Sequence, residues 1–388
     1  MVILGDSIPR LTDLAYIVEG LRLMKTSPTF ETLRLKLIDI SRKRAEKQIG
    51  IPRSGFGVSR RLLAVDEYTY WSNAKDVLIE LMNLKLVKES PVPSKRNHVA
   101  FNRNRNYELT ILGQTMLTEL EENELAFRER LLELMYKAHS HLRSLVVSLE
   151  KRDIFVPAYK LEGRFDNPHA ADYVNIIDDA IVWVRKKAEQ YGLSRVNLTD
   201  LETRLRAKAC TRQEGPKTGF LNALNEIVES TFLRAYGLQF DNVTFEHLYR
   251  LGEQMHIVNY GYLRDEKSSI LVVFNTAEIT ETPSFQVARH GISDYEQKVL
   301  EAIPSEFQAF GEGFVPIHDL RIRVCNKLKI NNEIFDYVIR KLFKESYKVD
   351  YQISLLRDMP GVLPPSAEPL KINNEVYFTI TVMLKKEV

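Results

Sequence analysis

Apolar residues recur mostly at helical spacing along this chain, and short strand-like runs interrupt them. Leu11, Leu14, Ala15, Val18 and Leu21 mark a first helix, which Thr12 or Asp13 can start. A second is predicted from Phe30 to about Lys47, with Leu33, Leu37, Ile38 and Ile40 apolar. Ile49-Gly50-Ile51-Pro52 ends it, because proline cannot continue a helix and pushes its predecessor out of helical backbone. A third runs from Ser72 to Asn83, just after Tyr68, Tyr70 and Trp71, three aromatics read as core. Leu84 to Glu89 reads as a strand, Ser90 to Asn106 as a polar loop, and Tyr107 to Thr110 as a second strand. A further helix begins near Gly113.

Residues 111–151 form the longest helical candidate, with Leu112, Met116, Leu120, Phe127, Leu131, Leu134, Leu142, Leu145 and Leu149 broadly periodic. We read it as an amphipathic connector that packs within the chain. Helices follow over 171–190, from a cap at Asn197 or Thr199, over 218–236 and over 243–255. Residues 256–263 and 269–274 read as a hairpin, and 276–284 as a linker. In the last third, a helix from Ile292 stops at Pro304, and another runs through Leu320, Ile322, Val324 and Leu328. Asn331 or Asn332 caps a third, and strands over 348–355 and 376–384 close the pattern.

Helix, strand, basic loop and second strand, followed by Tyr107-Glu108-Leu109-Thr110-Ile111-Leu112-Gly113, resemble a winged-helix domain over about 70 residues. The same order recurs more loosely in the middle and at the C-terminus. The resemblance implies a mainly α fold with small β-hairpin wings (α+β), made of tandem winged-helix domains joined by helical segments. We expect a winged-helix domain at 1–115, a helical connector at 116–196, a winged-helix-like domain at 197–284 and a C-terminal winged helix at 285–388.

Charge changes this picture only when it is divided. The 388 residues hold 54 Lys+Arg and 52 Asp+Glu, a net of +2. Residues 1–110 carry +7, residues 111–292 carry −4 and residues 293–388 carry −1. The basic excess lies in Arg42, Lys43, Arg44, Lys47, Arg53, Arg60 and Arg61, and in a wing with Lys95, Arg96, His98, Arg103 and Arg105 that has no acidic residue. Arg and Lys neutralise phosphates, while the interleaved Asn97, Asn102, Asn104 and Asn106 can donate to phosphate or base edges. In winged helices that bind DNA, a helix enters the major groove and the wing touches the backbone, so these twelve residues are the expected contacts with double-stranded DNA. The C-terminal recognition helix instead offers Glu333 and Asp336 beside Arg340, Lys341 and Lys344, which favours protein contact over groove entry. Protein partners or self-association through that domain and the connector are therefore expected. Terminal winged helices joined by helical segments also faintly resemble kleisin-type subunits of chromosome-organising ATPase complexes. An assembly subunit of such a complex, or of a mobile-element defence ATPase, is the alternative reading.

No catalytic residue, cofactor or metal is expected. Gly215-Pro216-Lys217-Thr218 lacks the spacing of a phosphate-binding loop. Glu296 and Lys298 are the fragment closest to a metal-dependent nuclease, the enzymatic alternative, and His169, Asp172, Asp178 and Asp179 come nearest to a hard-metal cluster. His139 and His141, two apart on a helix, face different directions. Cys210 and Cys325 cannot frame a disulfide scaffold and suggest a reducing compartment. No apolar run is long enough to span a membrane, and MVILGDSIPRL lacks the apolar core of a signal peptide. A cytoplasmic protein is expected, nucleoid-associated if prokaryotic.

Overall fold

The computed structural model describes residues 14–26, 28–36, 38–39, 67–90, 106–159, 172–210, 217–265, 268–281, 284–344, 349–357, 369–373 and 375–384. The fold is mainly helical with small antiparallel sheets.

The N-terminal unit comprises α1 (Leu14–Leu23), α2 (residues 30–36 and 38–39), α3 (Glu67–Asn83), β1 (Val87–Glu89) and β2 (Tyr107–Leu109). Ile17, Leu21, Phe30, Leu33, Val77, Leu78 and Leu81 build its core. Helix α3 starts earlier than expected, so Tyr68, Tyr70 and Trp71 belong to the helix itself. Strand β1 starts later, because Lys85 turns the chain in the left-handed region (φ 60°) before Val87 can pair with Leu109. Asn106 bridges to Thr29, so β2 lies between β1 and the segment leading into α2.

The Leu-Thr…Gly pattern has a direct explanation. The Thr110 hydroxyl donates to the Lys85 carbonyl (2.6 Å) and accepts from the Gly113 N–H (3.0 Å), capping α4 (Ile111–Glu122). A Cβ on Gly113 would lie 2.0 Å from the Leu86 carbonyl oxygen, so only glycine lets α4 leave the hairpin at this angle.

The connector is three helices, not one. Asn123 leaves helical backbone and its side chain accepts from Ala126 N–H (3.1 Å), which starts α5 (Glu124–Ala138). His139 breaks the run again before α6 (Ser140–Lys151). Periodicity alone missed these breaks because both new helices keep the same buried stripe. Nor is the connector purely helical. Strand β3 (Ile154–Pro157) joins the middle sheet, pairing with β5.

The middle unit adds α7 (Tyr173–Gln190), α8 (Leu198–Cys210, capped by Asn197), α9 (Lys217–Ala235) and α10 (Asn242–Gln254, capped by Asp241). Strands β4 (Val258–Asp265) and β5 (Ser268–Asn275) complete a sheet in the order β3-β5-β4. The expected linker is instead a second hairpin, β6 (Ala277–Thr280) with β7 (Gln286–Arg289), seated on the core through Ala277 and the contact of Phe285 with Tyr136.

The C-terminal unit runs α11 (Ile292–Gln308), β8 (Val315–Pro316), α12 (Ile317–Leu328), α13 (Asn332–Lys344), β9 (Tyr351–Leu356), a small hairpin of β10 (Leu370–Ile372) and β11 (Glu375–Tyr377), and β12 (Thr379–Leu384). Its main sheet is ordered β8-β12-β9. Contrary to expectation, α11 continues through Pro304. Proline removes the N–H that would bond to the Leu300 carbonyl, and the Tyr351 hydroxyl supplies the missing donor at 2.8 Å. In all three units the second hairpin strand is thus central, flanked by its hairpin mate and by a segment preceding it in sequence.

Both faces of the β3-β5-β4 sheet are buried. Ile154, Val156, Leu271 and Val273 pack into the larger core, which also holds the N-terminal and middle helices. Val272 and Phe274 enter the C-terminal core, with Phe155 and Leu263 packed beside them. Each such side chain contributes about 1.5–3 kcal/mol by leaving water. At Gly261 the C-terminal unit packs against the strand backbone, since a Cβ there would lie 2.2 Å from Ile322 Cδ1 and Cγ1. Gly261→Ala should therefore destabilise the protein by about 1–3 kcal/mol in denaturant unfolding. Combined with Ile322→Ala, which makes room, it should cost less than the two single losses added together.

Candidate functional site

The two basic groups expected to contact DNA, within 42–61 and 95–105, lie outside the described residues. For the second group, the structure defines the residues on either side. Residues 91–105 join β1 to β2 in sequence, and Ser90 N–H donates to the Asn106 carbonyl (2.9 Å) where the described hairpin closes. Lys88 pairs with Glu108 across the hairpin at 3.0 Å, and Ser90 Oγ donates to the same carboxylate at 3.3 Å. The Lys88 hydrogen bond is the main reason the Glu108 carboxyl is held below its usual value. Side chains 67–74 of α3 are likewise outside the described set, but its second half is firmly seated on α1 and the connector.

One polar contact on α3 carries unusual weight. Glu80 and His139 are 1 % and 5 % exposed, and His139 Nε2 lies 2.6 Å from Glu80 Oε1. His139 is the residue at which α5 gives way to α6. A buried hydrogen bond thus ties the helix that precedes the β1–β2 hairpin to the bend of the connector. His141 instead packs edge-on against Phe240, so the two histidines do go separate ways. The signal for Glu80 was in the sequence, because a carboxylate adjoins Val77, Leu78 and Leu81 on the apolar stripe. Its partner was not legible, being 59 residues away.

The charged residues of α13 are largely consumed inside the chain. Asp336 accepts from the buried Arg321 (2.7 Å), Lys341 donates to Glu296 (2.7 Å), and Arg340 donates to the Lys371 carbonyl (2.9 Å). The N-terminus of α13, capped by Asn331 (3.1 Å to Ile334 N–H), opens onto a cleft of about 600 Å³. The cleft is walled by Leu14 and Val18 of α1, Leu120 of α4, Phe127 and Arg128 of α5, and His256 after α10. Here the N-terminal, middle and C-terminal units converge. His256, held at φ 56°, meets Arg128 (3.2 Å) and Glu333 (4.0 Å), contacts that no local motif announced.

The remaining candidates are occupied structurally. Glu296 holds Lys341, and Lys298 lies over the Tyr295 ring (4.3 Å) in the first turns of α11. Asp178 accepts from Arg206 at 3.0 Å, and His169 lies outside the described residues. Among the described residues no group of three His, Cys, Asp or Glu side chains could hold a metal ion, and no helix is long and apolar enough to cross a membrane. Cys325 is buried, and that burial pushes its thiol pKa upward. Glu229 is pushed up to about 7 by burial and by the neighbouring Glu226 and Glu246, while Asn242 donates to it. Burial and the two neighbouring carboxylates account for this upward shift, which the Asn242 hydrogen bond opposes.

Replacing one partner of the Glu80–His139 contact strands the other in the core. Glu80→Ala and His139→Ala should each cost about 3 kcal/mol, and the double variant little more than either, in chemical unfolding. Equal additivity would show that the two do not interact. No protein-family model, curated protein or solved structure matches this chain.

Proposed function

We propose that the chain is a non-enzymatic DNA-binding protein of tandem winged-helix units, in which the N-terminal unit holds the phosphate backbone of duplex DNA and the C-terminal unit faces protein. One observation carries this reading. The acid-free basic sequence 91–105 joins the two strands of a hairpin closed by Ser90, Glu108 and Asn106, beside a helix fixed to the rest of the chain through Glu80. The strand order supports it too. A central second hairpin strand, flanked by its mate and by an earlier segment, is the arrangement a winged helix needs.

The protein-facing half of the proposal rests on α13. Its leading end is turned into the cleft, and its outer face exposes Tyr337 (40 %) and Phe343 (42 %) beside Arg340. Aromatic residues and Arg are the types enriched where proteins meet. This favours an assembly subunit that grips DNA at one end and a partner at the other, the kleisin-like reading included. The middle hairpin is a poor free wing, since the C-terminal unit covers one face of its sheet.

Full-length protein should bind unrelated duplexes with similar affinity in fluorescence anisotropy. If Lys95, Arg96, Arg103 and Arg105 each neutralise a phosphate, they contribute about −3.6 to the slope of log K against log salt. Changing all four to Ala should remove that part of the slope and weaken every sequence alike. Unchanged affinity and slope would contradict the wing assignment.

A further inference from the structure

On the cleft wall, the His256 imidazole lies beside two parts of the chain with opposite charge. Arg128 Nη1 of α5 lies 3.2 Å from His256 Nε2, and Glu333 Oε2 of α13 lies 4.0 Å from His256 Nδ1. A guanidinium can only donate, so Nε2 accepts and the ring proton sits on Nδ1, toward Glu333. We propose that His256 is a proton-controlled latch between the connector and the C-terminal unit, releasing Arg128 and drawing in Glu333 when the ring takes up a proton.

The proton arrives from solvent at Nε2 and occupies the lone pair that Arg128 uses, so that bond must break. Arg128 already has a second partner, Glu124 at 2.7 Å, on which to fall back. The imidazolium then faces the Glu333 carboxylate, which is 76 % exposed and free to move. The other charged groups around the ring are committed elsewhere. Arg289 of β7 is held by Glu129 (3.1 Å) and the Met255 carbonyl (3.3 Å). Asp336 is held by Arg321, and Glu19 and Arg22 across the cleft pair with each other. Glu253 precedes the turn on α10 and shares the cleft wall.

Burial lowers the imidazole pKa from its ordinary 6.5, Glu333 opposes this, and Arg128 and Arg289 add to it. The folded chain thus binds this proton less readily than the unfolded chain. Stability from the neutral contact is complete above the ordinary value and declines as pH falls below it. The latch turns under acid conditions, which moves α5 relative to α13 and changes the spacing of the DNA-facing and protein-facing units.

Spin labels on Leu125→Cys and Tyr337→Cys, both exposed positions, report this distance in the full chain once Cys210 is changed to Ser. The distance distribution should shift between about pH 8 and about pH 5, on either side of an ordinary histidine. His256→Asn should abolish the shift while keeping the left-handed backbone, which Asn tolerates. Arg128→Gln should move the midpoint to higher pH and Glu333→Gln to lower pH. A distribution independent of pH, a shift that survives His256→Asn, or midpoints unmoved by both neighbours would overturn the proposal.

Discussion

The three-stranded sheet β3-β5-β4 is buried on both faces, and the architecture turns on that constraint. A sheet with one wet face would leave the middle and C-terminal units as separate bodies on a tether. Here Val273 and Val272, adjacent in sequence, enter two different cores. Polar groups at the seam are matched accordingly. The fully buried Asn259 amide donates to the Ile330 carbonyl (3.1 Å) and to Asn332 Oδ1 (3.0 Å), and Lys329 reaches Asp153 (2.6 Å). Asn259 thus positions the start of α13, and through it the end of the helix that faces the cleft.

This fusion explains why repeated strand order need not mean repeated function. The N-terminal third of the sequence holds the chain's basic excess, and the segment 91–105 that carries much of it joins β1 to β2. The middle sheet has lost a free face to packing, and on α13 Asp336, Lys341 and Arg340 are engaged by Arg321, Glu296 and the Lys371 carbonyl. Near neutrality overall therefore conceals a chain whose segments carry different charge and, in the reading proposed above, meet different partners.

The types of most elements were legible from periodicity, because helices α7 to α10, α12 and α13 and the strands of the two larger hairpins bury regular stripes. Legibility ended where a distant group decides the local outcome. Pro304 stops a helix in isolation, but the Tyr351 hydroxyl, 51 residues from Leu300, replaces the lost donor. Residues 276–284 carry turn-forming Thr and Pro, yet Phe285 finds Tyr136 and the segment folds back as a hairpin. One signal was available and passed over. Ile270-Leu271-Val272-Val273-Phe274 is continuously apolar rather than alternating, as a strand covered on both faces must be. Of the proposed functional residues, the basic ones were plain in composition, whereas His256 and Arg128, 128 positions apart, belong together only in three dimensions.

Site-specific photocrosslinking of the full chain to duplex DNA tests the division of labour most directly. A photoreactive residue at Arg96 or Arg103 should capture DNA efficiently and in a salt-sensitive manner, while one at Tyr337 should not. Equal capture from Tyr337, or none from either wing position, would contradict an N-terminal DNA-holding unit joined to a C-terminal unit that faces protein.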